Sequence, residues 1–445
     1  MEFLSDKVEG EMEKREDIFC SYALTKDTLV HQQIFICDDC SNSEDEYLCC
    51  CAGCANSCHK GHNVRFVTNG RAYCDCHKSS CDIIEKSIQE CMKKNMTLSN
   101  VPSIPSPLEM VQVHTFPNIG EDGHVVELAK QCKILASLSK NTFWVQRDST
   151  PRTVLEKLAL DIYNYHMKNN GLLDRNPASG GCEFWVQVKP TSKGVDMHYD
   201  KDEEIAELMG IGVYPLISTV TYLSEIENSS ATIVLNKTSE TELEDPIDKC
   251  AIIWPSIGKH LAFNGSLLHG APKILDLDEK TEEEEEDDEE DEEEHLRITF
   301  LVNLWIDHKP CGVNVLSDPL VNSLNSHDSH FFFSESSLLA LSLEQKNNPE
   351  TIILQNDTSS EKYEEKTIPF LSKSADWATN DDEIDVSIKM NFPFESYDSK
   401  NCYIVHYESS TCAYLEQDVY SDVEWEEEEE AKDNCIGEED VKVCD

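Results

Sequence analysis

Basic residues are scarce in this chain: 37 Lys and Arg stand against 87 Asp and Glu in 445 residues, a formal net charge of −50. Affinity for a phosphate backbone comes mainly from Lys and Arg that displace counterions, so nucleic acid is not expected as a direct partner. Long apolar runs are missing too. No stretch reaches the roughly 18 consecutive apolar residues that span a bilayer, and the opening MEFLSDKVEGEMEKRED holds no apolar signal-peptide core. These absences predict a soluble protein of the cytoplasm or nucleus with no membrane partner. Cysteine, by contrast, is plentiful. Of 20 cysteines, eleven fall between Cys20 and Cys81 among histidines, and without an export signal that clustering reads as metal binding rather than a disulfide scaffold.

The 39% hydrophobic content is low, but the acid is concentrated in Glu282 to Glu294 and Glu424 to Glu430, which leaves ordinary globular sequence between. The length allows two or three domains and excludes disorder throughout. The expected division is a tail over 1–19, a zinc finger over 20–82, and a linker over 83–120 marked by Pro102, Pro105 and Pro107. A barrel follows over 121–310 with a solvated acidic loop at 276–295, and then an extension over 311–445 with an acidic tail. The extension has candidate strands TIILQ, VSIKMNF and CYIVHY but no assigned fold. The acidic segments would attract basic proteins.

Thr150-Pro151 starts a predicted amphipathic helix over 151–169, with Val154, Leu155, Leu158, Ile162 and Tyr163 at helical spacing. From residue 183 short β-rich runs take over: FWVQV, the stretch around Asp196 to Asp200, LISTVTYL, ATIVLN, AIIWP, HLAFNG and RITFLVNLWI. Strands this short and this numerous, with no helical pattern between them, favour a double-sheet jelly roll over a βαβ fold. The predicted class is therefore α+β: a small zinc-stabilised finger and a double-stranded β-helix barrel with supporting helices.

In the finger the donors run Cys20, Cys37-x2-Cys40, Cys51-x2-Cys54, His59-x2-His62, Cys74-x-Cys76 and Cys81. A two-residue gap lets one tight turn present two donors to one tetrahedral zinc ion, and the segment has too few apolar residues for a core of its own. The order and spacing over about 20–81 resemble the UBR box, the zinc finger of N-degron-recognising ubiquitin ligases. The resemblance implies three zinc ions. Cys37, Cys40, His59 and His62 would hold one; Cys20, Cys51, Cys54, Cys74, Cys76 and Cys81 would hold two that share a cysteine, with His77 as a further ligand. Cys49, Cys50 and Cys58 are surplus. It also implies a peptide partner, with Asp39 and Asp75 as peptide-binding acids. The family's Gly-Asp after Cys-Asp-Cys is His77-Lys78 here, a base in place of an acid, which disfavours a cationic ligand. No later Cys-x2-Cys pair offers a RING or PHD finger, so ubiquitin-ligase activity is not expected in this chain.

His198-Tyr199-Asp200 places two metal-donor side chains at i and i+2, on one face of an extended strand, and His269 in LLHGAP offers a third. Two histidines and a carboxylate on one face of an iron ion leave the opposite positions open. Over roughly 150–306 the arrangement resembles the 2-oxoglutarate oxygenases, their prolyl-hydroxylase-like branch in particular. The resemblance implies iron(II) held by His198, Asp200 and His269, and 2-oxoglutarate held at its far carboxylate by Arg297 and Tyr222. Arg297 lies 28 residues beyond His269, with the acidic loop accounting for most of that length, and no other arginine follows Arg175. A hydroxylase of a protein substrate would need no side-chain general base, since the metal supplies the oxidising chemistry and the protein the geometry. His260, His295 and His308 are expected to be non-ligands. Two other functions fit the same sequence: a non-catalytic adaptor for N-degrons or peptides, and a ubiquitin-ligase component acting through its finger.

Overall fold

The computed structural model describes residues 19–41, 48–78, 81–94, 96, 106–116, 124–172, 180–191, 193–224, 230–239, 246–273, 296–306, 308–326, 351–356, 363–371, 385–393, 401–407 and 414–417. The acidic loop expected at 276–295, His295 and the acidic tail lie outside them.

Metal donors leave the finger few apolar side chains, and its elements are correspondingly short. Helix α1 (Tyr22–Thr25), strands β1 (Val30–Cys37) and β2 (Cys49–Cys50), helix α2 (Ala52–Asn56) and strand β3 (Val64–Ala72) follow in order, with β1 central in an antiparallel sheet β2-β1-β3. The expected linker over 83–120 is not one throughout. Helix α3 (Ile84–Lys93) turns its apolar residues Ile88 and Cys91 towards Phe19 and Ala23, and β4 (Val111–Thr115) pairs with a barrel strand.

Helix α4 (His124–Leu138), strand β5 (Phe143–Gln146) and helix α5 (Val154–Asn169) come next. The α5 helix begins later than predicted, beyond Pro151. Its cap is Thr153, which accepts a hydrogen bond from the Glu156 amide at 3.1 Å, while the Glu156 carboxylate accepts from the Arg152 amide at 2.6 Å. Such a cap is worth about 1 kcal/mol.

Eight strands then build the barrel: β6 (Gly181–Pro190), β7 (Val195–His198), β8 (Ile217–Tyr222), β9 (Thr232–Thr238), β10 (Lys249–Ile253), β11 (Lys259–Asn264), β12 (Leu267–Ala271) and β13 (Leu296–Trp305). They fall into two antiparallel sheets, β11-β8-β13-β6 and β10-β9-β12-β7, the winding of a double-stranded β-helix. β4 and β5 extend the two edges of the first sheet. Alternation decides what each face does. On β13, Ile298, Phe300, Val302 and Leu304 join the core with Leu135 of α4 and Leu155 and Leu158 of α5, whereas Leu301 meets Val220 and Tyr222 on the other face. Arg297, Thr299, Asn303 and Trp305 therefore share the face of Leu301 and look into the barrel.

The region after 310 is not a separate appendage. After helix α7 (Asp318–Ser326), strand β14 (Thr351–Asn356) runs parallel to β17 (Cys402–Tyr407), which pairs with β10 and so widens the second sheet. Strands β15 (Tyr363–Leu371), β16 (Asp385–Pro393) and β18 (Tyr414–Gln417) form a further sheet. All three candidate strands of the sequence lie in these elements.

Between β7 and β8, helix α6 (Glu203–Met209) joins finger to barrel. Its Ile205 and Met209, with Ile211, share one apolar cluster with Phe19, Ala23 and Cys91 of the finger side. The Gln33 amide donates to Gly210 O at 3.4 Å, and Lys94 pairs with Glu204 at 2.9 Å. No helix of the described residues is long and apolar enough to cross a membrane.

Candidate metal centres

Three four-donor groups form in the finger: Cys20, Cys51, Cys54 and Cys74; Cys37, Cys40, His59 and His62; Cys54, Cys58, Cys76 and Cys81. Cys54 belongs to two of them, so a shared cysteine is built into the geometry. Donor spacing fits a tetrahedral zinc ion, whose thiolate ligands at about 2.3 Å stand roughly 3.8 Å apart. Cys54 and Cys81 are 3.6 Å apart, Cys58 and Cys81 3.8 Å, and Cys40 lies 3.4 Å and 3.2 Å from the Nδ1 atoms of His59 and His62. Hydrogen bonds from Cys20 and Cys54 hold the Cys51 thiol well below its ordinary range, while bonding to Cys51 pushes Cys20 up.

Two expectations need correction. Cys58, set aside as surplus, is the fourth donor of the third group. His77 joins none of the groups: its Nδ1 lies 2.8 Å from Cys74 O, and its ring stacks on Tyr22 at 3.6 Å. Among the acids expected to meet a peptide, Asp39 accepts from the Asn63 amide at 2.8 Å. Asp75 pairs with Lys78 at 2.6 Å, so the base that replaces the family's acid also neutralises the neighbouring one.

The second centre lies in the barrel. β7 and β12 pair so that His198 faces His269 across the strands, their ring centroids 4.4 Å apart. His198 Nδ1 bonds Asp196 O at 2.8 Å and His269 Nδ1 bonds Leu267 O at 2.9 Å. Both carbonyls fix the tautomer and leave each Nε2 lone pair free. Those Nε2 atoms stand 3.7 Å and 3.5 Å from the two carboxylate oxygens of Asp200. Burial pushes His269 down to about 4 against the opposing pull of Asp200, which keeps it neutral, the form a ligand needs. Ser218 on β8 donates to Asp200 at 2.8 Å, a partner that the sequence did not signal. Two histidines and one carboxylate of this geometry suit iron(II) with open positions opposite.

Arg297 is 6% exposed, and burial lowers its pKa. Its Nη2 donates to Thr232 Oγ1 at 3.1 Å, Tyr222 donates to the same oxygen at 2.7 Å, and the guanidinium lies 5.8 Å from the Tyr222 ring centroid. Arg297 Nε and Thr299 Oγ1 are buried with no hydrogen-bond partner, and no carboxylate of the described residues pairs with the guanidinium. A buried cation without a counter-ion is costly, so this corner fits an incoming carboxylate such as the far end of 2-oxoglutarate. Thr232 and Thr299 escaped the sequence reading because a lone threonine in a strand carries no signal. His260 and His308 are in neither centre: His260 bonds His166, and His308 bonds Asp202, the cap of α6.

Residues 16–83 match the UBR box family. A segment of 64 residues is 42% identical to the E3 ubiquitin-protein ligase hyd of Drosophila melanogaster, covering 14% of this chain and 2% of that protein. A segment of 68 residues is 34% identical to a probable E3 ubiquitin-protein ligase of Dictyostelium discoideum, covering 15% of this chain and 1% of that protein. The chain thus spans only a small fraction of these relatives. Among solved structures, a Pseudomonas putida prolyl-4-hydroxylase is similar over 47% of this chain and 99% of its own, at 11% identity and a TM-score of 0.26. HygX from Streptomyces hygroscopicus, with nickel and 2-oxoglutarate bound, is similar over 43% of this chain and 81% of its own, at 16% identity and a TM-score of 0.25. Residues 16–83 of this chain are thus similar to the UBR box family, and they precede a double-stranded β-helix.

Proposed function

We propose that this chain is an iron(II) and 2-oxoglutarate-dependent oxygenase of a protein substrate, with the UBR box as its recognition module, acting in the cytoplasm or nucleus. The observation that carries the reading is the convergence of His198, Asp200 and His269 on one point in a barrel whose interior also holds Arg297, buried without a carboxylate partner among the described residues. Iron(II), when bound with 2-oxoglutarate, would supply the oxidising chemistry that hydroxylates a C–H bond, with dioxygen as the oxidant and 2-oxoglutarate oxidised to succinate and carbon dioxide. The chain's own residues supply the rest. His198, Asp200 and His269 hold the metal, Ser218 orients the Asp200 carboxylate, and Arg297 with Tyr222, Thr232 and Thr299 receives the far carboxylate of the co-substrate. The finger holds three zinc ions in the three donor groups described.

A second reading, a peptide-binding adaptor with an inert barrel, is favoured by the UBR box alone. To separate them, the zinc-loaded full chain is titrated anaerobically with cobalt(II) as a spectroscopic substitute and then with 2-oxoglutarate, and succinate is measured aerobically with iron(II). Wild type should take up one cobalt beyond its zinc and then bind 2-oxoglutarate. Asp200→Ala should lose the cobalt, and Arg297→Ala should keep it while binding 2-oxoglutarate at least roughly tenfold more weakly, the order of one charged hydrogen bond. Both should stop succinate formation. A wild type that binds neither ligand leaves the adaptor.

A further inference from the structure

The inner face of β13 carries three buried polar atoms without partners: Arg297 Nε, Thr299 Oγ1 and Asn303 Oδ1. The co-substrate carboxylate accounts for the first two. It does not account for the third, because Trp185, Leu301 and Val220 stand in register across the sheet as an apolar row between Thr299 and Asn303.

Asn303 belongs to a different row. It is in register with Ser218 of β8 on one side and Glu183 of β6 on the other, and Ser218 donates to Asp200 at 2.8 Å. Facing side chains of antiparallel strands have Cβ atoms about 5 Å apart, so Asn303 stands one side chain from the serine that touches the metal triad, and Glu183 one further. Glu183 is 7% exposed and accepts from Trp305 Nε1 at 3.2 Å. Burial pushes its carboxyl up to about 7; Asp200 and Asp202 add to the rise, and hydrogen bonds from Thr142 and Trp305 oppose it. Among the described residues no Lys or Arg side chain pairs with it. A buried carboxyl beside two other acids and an unfilled amide acceptor make a site short of a cation.

We infer that Glu183 and Asn303 form the substrate subsite of the barrel and that it takes the guanidinium of an arginine side chain. Two acceptors on neighbouring strands match two N–H groups of a planar fork, which an ammonium presents as a point charge only. The apolar row of Leu301 and Val220 suits the aliphatic stem. The net charge of −50 favours approach of a basic protein. The inference rests on the oxygenase reading, since it places the arginine side chain beside the metal triad.

The test uses the full chain, zinc-loaded and carrying cobalt(II) and 2-oxoglutarate under anaerobic conditions, titrated with N-acetyl-argininamide, its citrulline analogue and N-acetyl-lysinamide. Cobalt absorption and calorimetry are the readouts. The arginine probe should bind roughly tenfold or more tightly than either of the others, as expected for a charged bidentate contact. Glu183→Gln and Asn303→Leu should each weaken it by a similar factor while cobalt and 2-oxoglutarate affinities stay within about twofold. Arginine binding should also weaken as pH falls below about 7, where Glu183 takes up a proton, and Glu183→Gln should flatten that profile. No binding by the loaded wild type, equal binding by Glu183→Gln, or tighter binding of the lysine probe would overturn the inference. Failure to load cobalt or 2-oxoglutarate would instead bring down the oxygenase reading beneath it.

Discussion

At the scale of single residues, the third donor group of the finger turns on the choice between Cys58 and His77. Cys58 lies 3.8 Å from Cys81, whereas His77 is committed to Cys74 O and Tyr22. Cys58→Ser should therefore lower the zinc content by one ion in native mass spectrometry, while Cys49→Ser and His77→Ala should leave it unchanged; loss of zinc from His77→Ala would reverse the assignment. Local spacing did not distinguish these residues. Cys49, Cys50 and Cys58 all lie within a turn or two of good donors, and the decision belongs to Cys76 and Cys81, which reach the group from a distant part of the chain. The barrel ligands were easier to read. His198 and Asp200 at i and i+2 share a strand face whatever the fold, and His269 stood out in an apolar run.

At the scale of elements, strands were legible because each is an apolar run bounded by turns, and all eight barrel strands fall where such runs or the histidine motifs lie. β4 was missed: VQVHT is short, follows the prolines, and owes its strand state to pairing with β11. That pairing brings His114 beside His260 of β11 and His166 of α5, with ring centroids 6.2 Å and 5.9 Å from His114. His166 Nε2 and His260 Nε2 are 2.9 Å apart, and His260 Nδ1 bonds Thr221 at 2.8 Å. Burial lowers all three, His114 to about 4 and His166 to about 3. The folded chain keeps them neutral, whereas the unfolded chain protonates them below about 6.5, so their effect is absent above about 6.5 and costs stability increasingly as pH falls towards about 4. His260→Gln should accordingly lose less stability than wild type between pH 7 and pH 5 in urea denaturation. Equal losses would place the acid sensitivity elsewhere.

At the scale of the whole molecule, finger and barrel share a core through α6, which starts just after Asp200 and is capped by Asp202. Asp202 is in turn held by His308 at 2.8 Å and the Cys311 amide at 2.8 Å. Damage to the finger side should therefore be felt in the barrel. Phe19 is 2% exposed in the shared cluster, and Phe19→Ala should cost about 3–5 kcal/mol. Tryptophan fluorescence reports on it at a distance, because four of the six tryptophans, Trp144, Trp185, Trp254 and Trp305, lie in the barrel region. A lowered melting temperature by that signal is the expected result, and an unchanged one would show that the two parts unfold independently.

The sequence by itself determined the kinds of donor present, the i, i+2 placement of His198 and Asp200, the paired cysteines, and the short apolar runs that become strands. These are short-range properties, decided by side-chain chemistry and by the two-residue period of a strand. Only the tertiary structure decided that His269 faces His198, that Cys58 rather than His77 completes a four-donor group, that Asn303 lies between Ser218 and Glu183, and that residues after 310 widen the barrel. Each of those depends on register between segments far apart in the chain. Register is chosen by which faces the whole core can bury together, a sum over the molecule that no local window contains.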